Sequence, residues 1–313
     1  MSMRALVFTA PGEVVLRDVE EPTPDPDDVV LTVHASGICG SELHGFRAIG
    51  MRVPPLVMGH EVIGTTEDGR RVAVNPLLSC GACDLCNRGL PQVCRTRGLL
   101  GVHRPGGFAE RVAVPIDSLH DLPPDVDWVA AAMIEPLANA VHAIGLAPEV
   151  DGGRVGIIGA GALGLLSLAV ARLRGAAHVT IVDPSPTRLA TAQRLGADVV
   201  AATLDAEHDV VIDAVGLSAT RAASLRWLRP AGTAVWIGLA APEATIDGND
   251  VVRGERKVAG SFAYTSTEFA TAVRLSPQLD LGWATAVPLN DSQRVFMELA
   301  EGRSDIVRAV ICP

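Results

Sequence analysis

Val155-Gly156-Ile157-Ile158-Gly159-Ala160-Gly161-Ala162-Leu163-Gly164 is the stretch that decides the fold. Its first four residues form a continuous apolar run, as in a strand buried on both faces. The glycines mark a tight turn, and residues 162–174 continue at helical spacing. The uncharged run 155–171 is shorter than most membrane spans, and Gly156, Gly159, Gly161 and Gly164 interrupt it, so strand, turn and helix fit it better. G-x-G-x-x-G in that context is the pattern of a dinucleotide-binding turn. Gly159 allows the turn, Gly161 lets the backbone approach a pyrophosphate, and Gly164 lets helix and strand pack closely. Ala162 and Leu163 open the helix, whose unpaired N–H groups and positive end favour phosphate.

Downstream the texture repeats. Apolar runs at 179–182, 210–212 and 234–237 alternate with helical patterns at 187–195 and 220–228. Such alternation predicts an α/β doubly wound parallel sheet over residues 137–272. Its second strand ends at Asp183, nineteen residues after Gly164. A carboxylate there accepts hydrogen bonds from ribose hydroxyls and repels a 2′-phosphate, which favours NAD over NADP. Arg188 either reaches the same adenosine end or is a solvated helix charge.

Upstream, residues 1–136 carry short β-type runs such as 4–8, 14–16 and 29–33, with Pro22, Pro24 and Pro26 between them. They predict a mainly antiparallel barrel, which residues 273–313 fold back to complete. The chain has 313 residues, enough for two domains, and 48% are hydrophobic, enough for a sizeable core. The net charge of −10 argues against nucleic acid or an anionic membrane as partner.

Cys80, Cys83, Cys86 and Cys94 stand at intervals of three, three and eight. Four thiolates at that spacing make a closed structural zinc site, whose metal supplies the folding energy of a lobe at about 80–94 that has no core of its own. Without a secretory signal in the sequence, the spacing favours metal over disulfides and a cytoplasmic location. A closed site leaves the chemistry to other residues. Cys39, within Gly37-Ile38-Cys39-Gly40-Ser41-Glu42-Leu43-His44, and His60, within Gly59-His60-Glu61, are good zinc ligands by type.

Read together with the nucleotide motif and the four-cysteine lobe, these segments resemble the medium-chain, zinc-dependent alcohol dehydrogenases, with their GroES-like catalytic domain, over nearly the whole chain. Gly106-Gly107-Phe108-Ala109-Glu110, Glu135-Pro136-Leu137-Ala138, Asp209-Val210-Val211-Ile212-Asp213 and Gly260-Ser261-Phe262 add to the resemblance. It implies two zinc ions per subunit, one catalytic and one structural, together with NAD. Cys39 and His60 match the catalytic zinc ligands, and Glu61 a glutamate that ligates zinc or exchanges with water. Glu135 replaces a cysteine ligand, as in the sorbitol, butanediol and threonine dehydrogenase branch. Ser41 matches the hydroxyl that takes the substrate proton, His44 the histidine that passes it to solvent, and Arg308 a basic residue that reaches the cofactor phosphates.

The implied reaction is hydride transfer between a secondary alcohol or polyol and NAD, giving a ketone or aldehyde. A carbonyl reductase or an amino-alcohol dehydrogenase of the same fold is the alternative, and a non-catalytic zinc- and NAD-binding scaffold is the rival from another class. The resemblance also implies a homodimer or homotetramer, joined through an edge at residues 258–263. Three departures stand out. Glu42 replaces an aspartate that orients the histidine ligand. The turn at 67–70 is short. The segments after Val200 and at 277–281 are abbreviated, which reads as trimmed surface loops. Phe46, Arg47, His103 and Trp283 are either pocket residues or structural ones.

Overall fold

A computed structural model describes all residues, 1–313. The chain divides into two units, Met1–Glu135 with Thr265–Pro313, and Pro136–Tyr264.

In the second unit six parallel strands run in the order Val199–Ala201, His178–Val182, Arg154–Ile158, His208–Asp213, Leu228–Trp236, Lys257–Gly260. Val155, Ile157, Val179, Ile181, Val210 and Ile212 are completely buried, as strands covered on both faces require. Strand order reverses at Arg154–Ile158, so a ligand crevice opens at the C-terminal ends of that strand and its neighbour His208–Asp213. Gly159 lies there, with φ +98°.

The crossover from Val199–Ala201 to His208–Asp213 uses only residues 202–207 and contains no helix. A parallel crossover ordinarily takes about a dozen residues or more. The shortened segment after Val200 is therefore an exposed loop, as expected, that also serves as the crossover, with Leu204 its one buried residue. Leu204 turns inward and packs with Ile158, Val182 and Leu225. The space beside it is a groove of about 850 Å³ walled by the helix Ser218–Arg226.

In the first unit Asp28–Gly37 is the organising strand. It pairs antiparallel with Glu61–Thr65, Arg111–Pro115 and Ala309–Cys312. Among the named strands of this unit only Thr285–Pro288 and Ala309–Cys312 pair in parallel. The register Gly37↔Glu61 matters most, because the chain leaves the sheet at the same end on both strands. Cys39 follows Gly37 by two residues and His60 precedes Glu61 by one, so pairing alone brings them together.

After Cys39 comes a six-residue helix, Gly40–Gly45. A helix of this length is not stable by itself. Phe46, at its C-terminal end, packs edge-on against Phe296, with ring centroids 5.2 Å apart and planes at 89°. Phe296 belongs to the helix Ser292–Ala300, so the C-terminal return of the chain holds the short helix in place. We expect Phe296→Ala to destabilise this unit by about 3–5 kcal/mol, measured by denaturant unfolding. A loss under 1 kcal/mol would show that the helix is held by other contacts.

Candidate active site

Glu42 is fully buried and makes three contacts. Oε2 accepts from the Cys39 backbone N–H at 2.8 Å. Oε1 accepts from the Gly59 N–H at 2.9 Å and meets His60 Nδ1 at 3.0 Å. Burial opposes ionisation of this carboxyl, but His60, Arg52 and the Cys39 N–H together hold it below its ordinary range. With Nδ1–H directed at Glu42, the Nε2 lone pair of His60 is left for a metal. Burial disfavours the imidazolium, yet the charge of Glu42 outweighs it and raises the His60 pKa well above the usual value.

Ligand atoms of Cys39, His60 and Glu61 lie within 4.8 Å of one another. One thiolate, one imidazole and one carboxylate are a donor set suited to zinc. Glu61 is buried, and its Oε1 forms an ion pair with Arg308 Nη2. Its Oε2 has no partner, which leaves a buried acceptor for a cation. Burial pushes this carboxyl up to about 7, against the pull of Arg308 and with help from the nearby charge of Glu135. Glu135 is buried at the start of the helix Ile134–Gly145 and stands outside the 4.8 Å set. Gly37 is required here, because a Cβ would lie 1.9 Å from Glu61 Oε2.

Ser41 and His44 are exposed and three residues apart on the short helix, hence on one face of it. Arg52 was given no role by any motif. It is 3% exposed, and its guanidinium donates to the Ser41 carbonyl at 3.0 Å and to Ser41 Oγ at 3.3 Å. A lone arginine in a loop carries no sequence signal, although Gly45, whose absent side chain makes room for it, is a trace. Phe46 and Trp283 are buried packing residues. His103 Nδ1 accepts from the Leu99 N–H at 3.0 Å. Arg47 donates to the Ala300 carbonyl.

The four-cysteine lobe has the geometry of a closed site. Sulfur–sulfur distances are 3.9 Å for Cys80–Cys86, 3.6 Å for Cys83–Cys86, 3.8 Å for Cys83–Cys94 and 3.5 Å for Cys80–Cys94. Tetrahedral Zn–S bonds of about 2.3 Å require edges of about 3.8 Å. The Cys80 N–H donates to Cys94 Sγ at 3.5 Å and the Cys83 N–H to Cys80 Sγ at 3.4 Å, as bound thiolates need.

In the nucleotide unit the turn is built for close backbone contact. A Cβ on Gly164 would lie 1.8 Å from the Gly159 carbonyl oxygen, and one on Gly161 would meet nothing within 4 Å. Gly161 precedes the helix Ala162–Leu173, leaving its N-terminal N–H groups accessible to a phosphate. Asp183 Oδ2 accepts from the Ala160 N–H and Oδ1 from the Ser185 N–H, each at 2.8 Å. Each oxygen keeps a lone pair for a ribose hydroxyl. Arg188 Nη1 stands 3.8 Å from Asp183 Oδ2. Buried Asp213 accepts from Val215 N–H, Gly216 N–H and Thr220 Oγ1, which stiffens the other wall of the crevice.

Residues 25–124 match the alcohol dehydrogenase GroES-like domain and residues 162–277 match the zinc-binding dehydrogenase family. The chain is 32% identical to L-galactonate-5-dehydrogenase of Escherichia coli (strain K12), over 96% of this chain and 94% of that one. It is 34% identical to L-threonine 3-dehydrogenase of Streptomyces coelicolor, over 96% and 97%. A Sinorhizobium meliloti 1021 structure described as a zinc-binding dehydrogenase, bound to NADP, superimposes with a TM-score of 0.93 at 29% identity, covering 100% of both chains.

The geometry makes Glu42 the joint support of two zinc-ligand positions. Glu42→Ala should weaken zinc binding at the Cys39–His60 site by about 10- to 100-fold, read by competition with a metal-chelating dye, while the four-cysteine zinc stays bound. Glu42→Asp should retain most of the affinity. Equal retention by Glu42→Ala would show that Glu42 serves packing alone.

Proposed function

This chain belongs to the zinc-dependent medium-chain alcohol dehydrogenases, and we propose that it oxidises a secondary hydroxyl of a polyol or polyhydroxy acid with NAD. It is a zinc- and nicotinamide-dinucleotide-dependent oxidoreductase acting on an alcohol. The observation that carries the reading is the Cys39, His60 and Glu61 donor set, with the Ser41 hydroxyl two residues beyond Cys39 and Glu135 beside Glu61. The galactonate and threonine relatives are both named for substrates bearing secondary hydroxyls, and threonine is the second substrate to test.

Zinc at Cys39, His60 and Glu61 would supply Lewis acidity to the substrate hydroxyl, and the dinucleotide would accept the hydride. The chain's own groups do the rest. Glu42 holds the His60 ring with Nε2 free. Ser41 Oγ accepts the proton of the substrate hydroxyl, and His44, on the same helix face, delivers it to solvent. Arg308 forms an ion pair with Glu61 and is our candidate for the cofactor phosphates. Gly159, Gly161, Ala162, Leu163 and Gly164 form the phosphate turn, and Asp183 takes the adenosine ribose.

Asp183 supports NAD over NADP, because a 2′-phosphate would meet its carboxylate. Arg188 beside it tempers the repulsion without removing it. We assign assembly to a homodimer or homotetramer through the edge strand Lys257–Gly260, where Val258 is 41% exposed. The need of a four-thiolate lobe for reduced sulfur supports a cytoplasmic location.

The test is turnover by purified protein on polyols, polyhydroxy acids, simple secondary alcohols and L-threonine, with NAD and with NADP, before and after chelation. The expected result is chelator-sensitive reduction of NAD, with kcat/KM at least about tenfold above that with NADP. Preference for NADP would overturn the role of Asp183. NAD and zinc binding without turnover of any alcohol would favour a scaffold.

A further inference from the structure

Arg52 is the one buried cation near the reacting hydroxyl that the mechanism above leaves unused. It follows the short helix in a loop, at 3% exposure, and forms no ion pair. Nε donates to the Gly101 carbonyl at 3.3 Å, one Nη to the Ser41 carbonyl at 3.0 Å and the other to Ser41 Oγ at 3.3 Å. Burying a guanidinium without a carboxylate partner is costly, and a neutral side chain would fill the space at less expense. The fold also makes room for it. The short helix ends in Gly45, where a Cβ would come within 2.5 Å of Arg52 Nη1.

We propose that Arg52 is a positioning residue for proton transfer from the substrate hydroxyl, acting through Ser41; this rests on the dehydrogenase reading above. Guanidinium only donates. By occupying one lone pair of Ser41 Oγ, it forces the Ser41 proton to point away from Arg52 and leaves the second lone pair to accept from the substrate. The step then balances with no further reactant. The substrate O–H bond breaks and a new Oγ–H bond forms, while the original Oγ–H bond breaks and its proton passes to His44 or solvent water. The fixed positive charge also stabilises the negative charge that develops on Oγ during the exchange. Because Arg52 grips the Ser41 carbonyl as well, backbone and side chain of Ser41 are held as one unit.

Two variants and one background separate this role from simple packing. In the zinc-loaded enzyme, Arg52→Met should lower kcat by about 10- to 100-fold, with KM for the alcohol, Kd for NAD and zinc content each within about twofold of wild type. The solvent isotope effect on kcat should rise, and Arg52→Lys should restore part of the rate. In a Ser41→Ala background, Arg52→Met should cost no further rate.

Gly45→Ala crowds Arg52 without altering its charge. An added Cβ would meet Arg52 Nη1 at 2.5 Å and displace it from Ser41, so our proposal predicts a lower kcat with zinc content and Kd for NAD unchanged. Independently of turnover, crystal structures should show one Ser41 rotamer in wild type and more than one in Arg52→Met. Equal losses from Arg52→Met with and without Ser41, loss of zinc, or an unchanged kcat would overturn the proposal. If wild type oxidises no alcohol, the functional reading fails, and the Ser41 rotamer comparison still decides whether Arg52 positions it.

Discussion

The carboxylate of Glu42 is the group on which the site depends. It binds the Cys39 N–H, the Gly59 N–H and the His60 ring in one buried cluster, and so links the start of the short helix to the segment that carries the histidine. Without it, two potential metal ligands twenty-one residues apart would be set only by strand register, which places backbones but not rings. The extra methylene relative to aspartate is absorbed by the local geometry. Glu42 sits at the third helical position, from which a glutamate reaches back to the N-cap backbone, as in a capping box.

Around this cluster the charges alternate. Glu42 and Glu61 are buried carboxylates, and Arg52 and Arg308 are buried guanidinium groups. Arg308 engages Glu61 directly, whereas Arg52 acts on Glu42 only through its field. Burial nonetheless drives Glu61 up to about 7, and one of its oxygens has no partner. A dication at Cys39, His60 and Glu61 would give that oxygen a partner. The closeness of Gly37 to Glu61 shows how tightly the carboxylate is packed, with no space for even a methyl group.

The distribution of these groups along the chain explains how the site is assembled. Cys39 and Ser41 leave the sheet at the end of Asp28–Gly37, and His60 and Glu61 enter it on the paired strand. Arg308 lies just before the last strand, Ala309–Cys312, which pairs with the other edge of Asp28–Gly37. The C-terminal return is thus part of the site twice, through Arg308 and through Phe296 against Phe46.

Spacing motifs were legible in the sequence because each is local. The glycine turn at 159–164, Asp183 at the next strand end and the four-cysteine lobe each encode their geometry within a few residues or one strand–helix repeat. The cysteine and histidine motifs were legible as a pair only through resemblance. The segment after Val200 reads as a trimmed surface loop and is one, but only the strand order shows that residues 202–207 also have to cross the sheet. Arg52 was invisible, since its meaning lies in contacts with Ser41 and Gly101 that no periodicity records. The sequence by itself determined the two-domain architecture, the metal-binding types and the cofactor class, because local spacing and residue chemistry carry those. Only the tertiary structure decided which charges neutralise one another, that Glu42 reaches the His60 ring, and that a buried arginine donates to Ser41, because in a low-dielectric interior those outcomes depend on distances between segments far apart in the chain.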